Sequence, residues 1–273
     1  MTGQRLRVVL MAHDEEPLHA GAVADWLAER EDLRGIIRIV DPPRARRRRV
    51  RRELKRSGVV GFMDVVAWRL YHRLRFGAES RRVRARLLEG LRPAAGSAAS
   101  GAAPTLRTSG PSSPEVQAFL EHADADIMIA LVKHILKPAV FMVPRHGTFV
   151  FHPGICPEYR NAHGCFWALA RGDRNRVGMT VLRIDEGVDT GPVFGYFTLP
   201  EARWSSSPIA LQHQVVLENL GAITDLLRDV VAGRAAPVDV ADRESGTWGQ
   251  PRLTAWLRRP TAAPAPQARV AGG

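Results

Sequence analysis

The sequence predicts an α/β fold, an open and mostly parallel twisted sheet with helices on both faces. The chain begins with a strand, a helix and a second strand at residues 5–11, 17–30 and 36–40, joined by short connections. Such a unit forms parallel strands with a right-handed crossover. Residues 126–132 (DIMIALV) are apolar throughout, which is typical of a strand buried on both faces. Apolar residues recur at three-, four- and seven-residue intervals over residues 209–230, which indicates an amphipathic helix packed on the sheet.

The remaining elements continue this alternation. Short helices are predicted at residues 115–121, 138–143 and 161–171, and strands at 148–151, 179–184 and 193–199, of which the last two should pair. Pro208 after Ser206 and Ser207 is a helix-opening pattern, because proline is tolerated in a first turn. Residues 93–114, rich in Gly, Ala, Ser and Pro, predict a flexible linker or a surface excursion, and residues 260–273 a disordered tail.

Length and composition indicate one catalytic domain with small additions. The chain has 273 residues, of which 45% are hydrophobic, enough for one substantial core. Its amino terminus has only a short apolar run, and no stretch reaches eighteen apolar residues, so neither a signal peptide nor a membrane span is expected. Two cysteines fit a reducing compartment. We therefore expect a cytoplasmic protein, whose oligomeric state, including a homodimer, stays open.

The positive charge is concentrated in one segment. Residues 44–92 hold seventeen Arg and Lys but four Asp and Glu, a net charge of +13 in a chain whose total is +11. The run from Arg44 to Arg56 reads RARRRRVRRELKR, and residues 59–74 predict a helix with Phe62, Val66, Leu70 and Leu74 on one face. The segment is either a solvated arginine-rich insertion or a site for an anionic partner: tRNA, an anionic substrate or an anionic membrane surface.

A histidine and a carboxylate follow two strands of the predicted sheet. His152 comes directly after the apolar residues 149–151 and before Pro153, at the carboxyl end of a buried strand. Ligands bind at that edge of open α/β sheets. Asp189 lies in the loop Gly187-Val188-Asp189-Thr190-Gly191, after the strand 179–184. The two side chains could form a general acid/base pair.

At these residues the sequence resembles the folate-dependent formyltransferases, which include methionyl-tRNA, glycinamide ribonucleotide and amino-sugar N-formyltransferases. The resemblance covers about residues 125–200. Family members carry a pattern close to Asn-x-His-Pro-(Ser/Gly)-x-x-Pro-x-(Tyr/Phe)-(Arg/Lys)-Gly, then a helix with tryptophan, Gly-x-Thr and Asp-x-Gly-x-Asp-x-Gly. The matching residues here are His152-Pro153-Gly154, Pro157-Glu158-Tyr159-Arg160, Trp167, Gly178-Met179-Thr180 and Asp185-Glu186-Gly187-Val188-Asp189-Thr190-Gly191.

The resemblance implies a Rossmann-like fold and an enzyme that transfers a formyl group from 10-formyltetrahydrofolate to an amine. It implies His152 and Asp189 as catalytic residues. It also implies a pterin site at Lys133, His134, Ile135 and Leu136, with Asp185, Gly187 and Gly191 of the neighbouring loop, and acceptor contacts from Tyr159, Arg160, Asn161 and His163. No metal is implied.

Charge, composition and the resemblance together predict a division of the chain. Residues 1–43 would be the first β-α-β unit, 44–113 an arginine-rich helical insertion and linker, 114–235 the formyltransferase core and 236–273 an extension. The extension is too short for the carboxyl-terminal β domain of the methionyl-tRNA enzymes. Asp14, Glu15 and Glu16 stand where the glycinamide ribonucleotide enzymes have a phosphate loop, and would repel a phosphate. The best match is the group of stand-alone sugar and secondary-metabolite formyltransferases, with a small-molecule amine as acceptor.

Two positions depart from the family pattern. Val150 stands where the family has an asparagine that donates a hydrogen bond to the oxyanion of the reaction. Losing one such donor typically costs about 100- to 1,000-fold in turnover. Asn161 replaces the glycine after Tyr-Arg, either as a replacement donor or as the N-cap of the following helix.

Three alternatives therefore stay open. The scaffold could be repurposed as a formyl-folate hydrolase, another acyl transferase or a non-catalytic binder. His152, Cys156, His163 and Cys165 could bind zinc, although their spacing matches no familiar finger. Finally, Cys156 could carry an acyl group next to His152.

Overall fold

The sheet of this protein has seven strands and matches the predicted fold class. The structure is a computed structural model that describes residues 5–93 and 99–260. The strands are β1 (Arg7–His13), β2 (Asp32–Ile39), β3 (Thr105–Thr108), β4 (Ile127–Leu131), β5 (Thr148–His152), β6 (Arg160–Asn161), β7 (Met179–Arg183), β8 (Val193–Phe197) and β9 (Thr247–Trp248). The main sheet has the order β3-β2-β1-β4-β5-β7-β8, and β6 pairs with β9 in a separate two-stranded sheet.

The first five strands in this order, β3, β2, β1, β4 and β5, are parallel to one another. Strands β7 and β8 are antiparallel to their neighbours. The predicted pairing of β7 with β8 is confirmed, with Val181 opposite Gly195. The helices are α1 (Ala24–Arg30), α2 (Pro43–Gly90), α3 (Pro114–Ala123), α4 (Pro138–Phe141), α5 (Gly164–Ala170), α6 (Pro208–Leu217), α7 (Leu220–Val231) and α8 (Leu253–Leu257). A π-helical turn, Leu18–Val23, leads into α1.

The alternation of side chains along the strands divides the core between two faces of the sheet. Val8, Leu10 and Ala12 of β1 pack toward the face that carries α1, α2, α5, α6, α7 and α8. Val9 and Met11 pack toward the face that carries α3 and α4. Helices thus cover both faces, and the parallel strands β1, β2, β4 and β5 end at one carboxyl edge, where His13 and His152 are the last strand residues.

The arginine-rich region is a helix of 48 residues with a break at Gly58. Gly58 has φ +67°, in the left-handed region that favours glycine, so the helical course changes there. Beyond the break, Trp68 and Phe76 are buried in the core, and Trp68 contacts Phe166 of α5 edge to face. The second part of this helix is therefore a layer of the fold.

Three predictions about local structure were wrong. The expected linker contains β3, which pairs in parallel with β2 at the sheet edge; residues 94–98 lie outside the described part. The expected helix 161–171 begins only at Gly164, because Asn161 and His163 have positive φ and Asn161 pairs in β6. The expected helix 209–230 is divided between α6 and α7.

The carboxyl-terminal extension is joined to the fold over its described part. Trp248 of β9 stacks on Trp167 of α5, and Trp256 of α8 stacks on Phe166. Residues 261–273 of the expected disordered tail lie outside the described residues. Within residues 5–93 and 99–260, the helices are all too short or too polar to cross a bilayer.

Candidate active site

His152 ends β5 with both ring nitrogens next to protein oxygens. Its side chain is only 5% exposed. Nδ1 lies 3.3 Å from Asp189 Oδ2, and Nε2 lies 2.7 Å from the carbonyl oxygen of Tyr159. A carbonyl only accepts, so the second contact requires a proton on Nε2. A second proton on Nδ1 would let the ring donate to both oxygens, and the Asp189 carboxylate would face the resulting imidazolium.

Asp189 is held by a backbone donor from another strand. The N–H of Asn161 donates to Asp189 Oδ2 at 2.7 Å. The same oxygen therefore accepts this hydrogen bond and also lies next to Nδ1 of His152. Asp189 and Asn161 both have positive φ, +51° and +76°. That conformation is uncommon for residues with a side chain and is best tolerated by Asn and Asp. Two locally unfavourable backbone conformations thus maintain the carboxylate contact.

Gly154 allows the chain to come close enough for the Tyr159 contact. A Cβ at Gly154 would lie 2.6 Å from Tyr159 O, 2.8 Å from Gly164 Cα and 2.9 Å from His152 Nε2. No side chain fits at such distances without moving the backbone. The elbow after His152 therefore requires glycine, because the loop folds directly against the imidazole.

The loop after β7 is organised by Asp185. One of its carboxylate oxygens accepts from Gly187 N at 2.9 Å and from Thr190 Oγ1 at 2.7 Å. A Cβ at Gly191 would lie 1.8 Å from Arg183 O, so this position also requires glycine. Asp185, Gly187 and Gly191, expected to bind the cofactor, thus shape the loop that presents Asp189.

The residues expected to contact the acceptor differ in their availability. Tyr159 is buried, its hydroxyl donates to Asp173 at 2.9 Å, and burial raises its pKa. Arg160 donates to Val188 O at 3.2 Å and to Thr247 Oγ1 at 3.1 Å, and so joins the Asp189 loop to β9. Both residues support the site in this arrangement.

Neither prediction about the Asn161 side chain is supported by its contacts. The N-cap position of α5 is His163, so the N-cap prediction for Asn161 was wrong. The Asn161 amide donates to Trp248 O at 2.5 Å, while only its backbone N–H reaches Asp189. His163 Nδ1 accepts from Gln212 at 3.2 Å, and burial lowers its pKa to about 4, which keeps this ring neutral at pH 7.

The segment expected to hold the pterin lies at the carboxyl edge after β4. Lys133 N already donates to His13 Nε2 at 3.2 Å. Among the described residues, none hydrogen-bonds to the backbone N–H groups of His134, Ile135 or Leu136. The Ile135 side chain is 75% exposed, whereas Leu136 is buried. Free backbone groups next to an exposed aliphatic side chain are suited to a flat heterocycle with polar edges.

The cysteine alternatives do not fit the environment of the thiols. Burial raises the pKa of Cys156 and of Cys165 to about 12, so both are thiols at neutral pH. Cys165 Sγ donates to Gly178 O at 3.2 Å. A metal or an acyl group needs the thiolate. The described residues do not bring His152, Cys156, His163 and Cys165 together as a ligand group, so the zinc alternative has no support in this arrangement.

A second cluster of His and Asp lies at the same sheet edge and was missed. His134 Nε2 lies 3.5 Å from Asp41 Oδ1, and His13 Nδ1 lies 3.9 Å from Asp41 Oδ2. We call His13, Asp41 and His134 the edge trio. It has the composition of a metal site, but Arg49 donates to Asp41 Oδ2 at 2.7 Å, and Lys133 N occupies Nε2 of His13. Since Nε2 of His13 accepts from Lys133, a neutral His13 carries its proton on Nδ1, which faces Asp41. A cation bound here would have to displace both the Lys133 contact and the Arg49 contact.

Sequence reasoning also missed groups that have no side-chain signature. The Tyr159 carbonyl and the Asn161 N–H form hydrogen bonds to the His152–Asp189 pair. These are backbone groups, so a sequence motif, which specifies side chains, does not predict them. Trp248 is joined to the site by two contacts: its carbonyl oxygen accepts from the Asn161 amide, and its ring stacks on Trp167. The two tryptophans of the extension, in an otherwise irregular segment, were the available signal.

The fold and this pair define the class, a Rossmann-like α/β protein with a histidine in contact with an aspartate at the strand ends. Residues 84–197 match the model of the formyl transferase family. The methionyl-tRNA formyltransferase of Sorangium cellulosum is 31% identical over 150 residues, 53% of this chain and 46% of that protein. The chain thus spans about half the length of the curated relatives that it matches.

Solved structures show the same fold. A sugar N-formyltransferase from Shewanella has a TM-score of 0.50 at 13% identity, over 89% of this chain and 76% of that one. HypX from Aquifex aeolicus, in complex with tetrahydrofolic acid, has a TM-score of 0.51 at 16% identity, over 93% of this chain and 34% of that one. Residues 84–197 thus match a formyl transferase domain, and members of that family are one-carbon transferases. The resemblance inferred from the sequence is confirmed.

Proposed function

We propose that this protein transfers the formyl group of 10-formyltetrahydrofolate to the amine of a small-molecule acceptor, an amino sugar or a secondary-metabolite intermediate. The observation that carries the proposal is the His152–Asp189 pair, 3.3 Å apart at the end of a buried strand within the matched domain. The reaction needs a group that stabilises a tetrahedral oxyanion and moves a proton. A histidine backed by a carboxylate supplies both.

The pterin would bind over residues 133–136. Ile135 would contact the ring, and the free N–H groups of His134 to Leu136 would donate to its polar edge. The acceptor amine attacks the formyl carbon, and the tetrahedral intermediate then expels tetrahydrofolate. For this, His152 would exchange its contact with the Tyr159 carbonyl for the substrate and, as the neutral ring, take the proton that the attacking amine releases. The imidazolium so formed, its charge balanced by Asp189, would stabilise the oxyanion and then pass the proton to the departing nitrogen of tetrahydrofolate. The Asn161 N–H and the left-handed Asp189 keep the carboxylate oriented.

A second candidate is a repurposed scaffold, a formyl-folate hydrolase or a binder. It is favoured by Val150 in place of the oxyanion asparagine, and by the engagement of both His152 nitrogens. A water could attack the formyl group where an amine acceptor is not bound. The two candidates differ in product: a formylated amine in one case, free formate in the other.

The first experiment measures calorimetric binding of a stable 10-formyl analogue of tetrahydrofolate. Ile135→Asp should weaken binding more than about tenfold, because a charge would replace the exposed aliphatic contact. Leu257→Asp, a matched change at an exposed leucine of α8, should leave binding unchanged. The folate assignment fails if the wild type does not bind.

The second experiment follows tetrahydrofolate and formate release with a panel of amino sugars, other amines and tRNA as acceptors. Amine-dependent release of tetrahydrofolate supports transfer, and formate release without any acceptor supports the hydrolase. Val150→Asn would restore the missing donor and should raise turnover about tenfold or more in a transferase. Val150→Leu, similar in shape but without a donor, is its control.

A further inference from the structure

One face of α2 beyond Gly58 is apolar and exposed. The side chains in this apolar stripe are 39% to 86% exposed, with Val60 and Leu74 at the upper end. Its members are Val59, Val60, Met63, Val66, Leu70 and Leu74. Five of them follow at steps of four, three, four and four residues, so they lie on one side of the helix. Phe62, expected on this face, is less exposed and lies beside the stripe.

The opposite side of the same helix packs on the protein. Val65, Trp68 and Phe76 are buried there, and Asp64 accepts hydrogen bonds from Thr254 of α8. The stripe therefore faces away from the fold. Arg69 and Arg73, both exposed, come between its members in the sequence. Contiguous exposed apolar surface of this kind marks an interaction site.

The basic segment, residues 44–56, directly precedes the stripe. Arg47, Arg48, Arg51 and Arg52 are exposed, and in the described part of the chain they form no ion pair with a carboxylate. Arg49 and Arg56, by contrast, pair with Asp41 and Glu53. A group of uncompensated guanidinium groups thus comes directly before the apolar stripe in the chain, on the other side of the break at Gly58.

We propose that α2 docks this protein on an anionic lipid bilayer. The apolar stripe would enter the boundary between headgroups and acyl chains, and the basic segment would contact the anionic headgroups. Interfacial helices combine these two features. Each arginine near an anionic surface adds favourable energy, and two weak signals together give stable anchoring.

The chemistry of the stripe favours lipid over RNA. Its members are aliphatic or methionine, and single-stranded nucleic acid is held by aromatic side chains on which bases stack. The basic segment alone would suit RNA, but RNA would leave the stripe in water. A second copy of the chain would cover the stripe but would bring two basic segments together, at an electrostatic cost.

The experiment is vesicle flotation with the full chain. Vesicles of phosphatidylcholine with about one third phosphatidylglycerol should bind the protein at moderate salt, and vesicles of phosphatidylcholine alone should bind it at least about tenfold more weakly. Val60→Ser with Leu74→Ser should weaken binding about tenfold or more at unchanged charge. The matched control is Leu257→Ser, an exposed leucine outside the stripe.

The charge contribution is tested with a triple variant. Arg48→Gln, Arg51→Gln and Arg52→Gln together should weaken vesicle binding more than about tenfold and flatten its salt dependence. Arg81→Gln, Arg82→Gln and Arg258→Gln remove the same charge from other exposed arginines and should have a smaller effect. Circular dichroism checks that each variant is folded.

Three results would overturn the proposal. One is equal binding to neutral and anionic vesicles, or none to either. Another is tRNA binding that the charge triple variant abolishes, without vesicle binding. The last is a concentration-dependent dimer that the Val60/Leu74 variant dissociates, again without vesicle binding. None of these depends on formyl transfer, so the docking surface and the proposed function can fail separately.

Discussion

Two groups of histidine and aspartate lie at the carboxyl edge of the same sheet, and their surroundings differ. In the His152–Asp189 pair, each ring nitrogen faces an oxygen, and the carboxylate also accepts from a backbone N–H. In the edge trio, Asp41 Oδ1 and His134 Nδ1 are buried without a hydrogen-bond partner in the described residues. The side chains of the pair are thus oriented by hydrogen bonds to the backbone, whereas two polar atoms of the trio have no hydrogen-bond partner in the described residues.

The difference follows from what each group is attached to. The pair is fixed by backbone atoms of Tyr159 and Asn161, whose position depends on Gly154 and on two left-handed residues. The trio lies where β1, β2 and β4 end. Its His13 accepts from one backbone N–H, that of Lys133, and the Arg49 side chain takes one oxygen of Asp41. Preorganised geometry is what catalysis requires, so residue type alone does not identify the active site.

The largest expected effect is on kcat, and it distinguishes the Asp189 carboxylate of the pair from the Asp41 carboxylate of the edge trio. Asp189→Asn keeps an oxygen that can accept from Asn161 N but removes the charge next to His152. Formyl transfer should fall by about 100- to 10,000-fold in kcat. Asp41→Asn, the matched change in the edge trio, should cost less than about tenfold. Steady-state kinetics of both variants checks this, and equal losses would contradict the distinction.

The next effect concerns the backbone that closes the pair. Gly154→Ala introduces a Cβ 2.6 Å from Tyr159 O, so the loop must move away from His152. We expect a loss of about 1–3 kcal/mol in the free energy of unfolding, together with lower activity. Gly221→Ala in α7, where a Cβ meets nothing within 4 Å, should be neutral or stabilising. Urea denaturation of both variants measures the difference.

A smaller effect appears in the pH dependence of stability. Burial lowers the pKa of His163 to about 4, so the unfolded state takes up a proton first as the pH falls below about 6.5. The stability contributed by neutral His163 is present above pH 6.5 and is lost as the pH falls toward 4. The expected loss is about 1.4 kcal/mol per pH unit at most.

His163→Gln should remove this part of the pH dependence, because glutamine does not titrate. His122→Gln, a change at an exposed histidine of α3, is the matched control. Denaturation midpoints between pH 4 and 7 provide the measurement. The same slope in His163→Gln and the parent protein would contradict a buried neutral ring.

The pair could be predicted from sequence and the trio could not. His152 follows an apolar run and Asp189 lies between glycines, so local pattern placed both at strand ends, and the family resemblance singled them out as a pair. Residues 13, 41 and 134 are far apart in the chain, and they meet because β1, β2 and β4 pair in parallel and end at the same edge. Strand β3 was missed because Thr105–Thr108 is short and half-exposed, and its pairing with β2 comes from the sheet. The late start of α5 depends on left-handed residues that propensity does not reveal.

The smallest expected effect tests whether the edge trio acts as an electrostatic unit. Burial lowers the pKa of His134 and of His13, while Asp41 opposes this by raising both. Asp41→Asn removes the opposing charge, so both pKa values should fall further. Titration of the two rings by NMR measures this, with Asp14→Asn as a control for another carboxylate of the same edge. Unchanged midpoints in Asp41→Asn would mean that Arg49 already neutralises Asp41, and that the trio is three neighbours at a sheet edge with no electrostatic coupling.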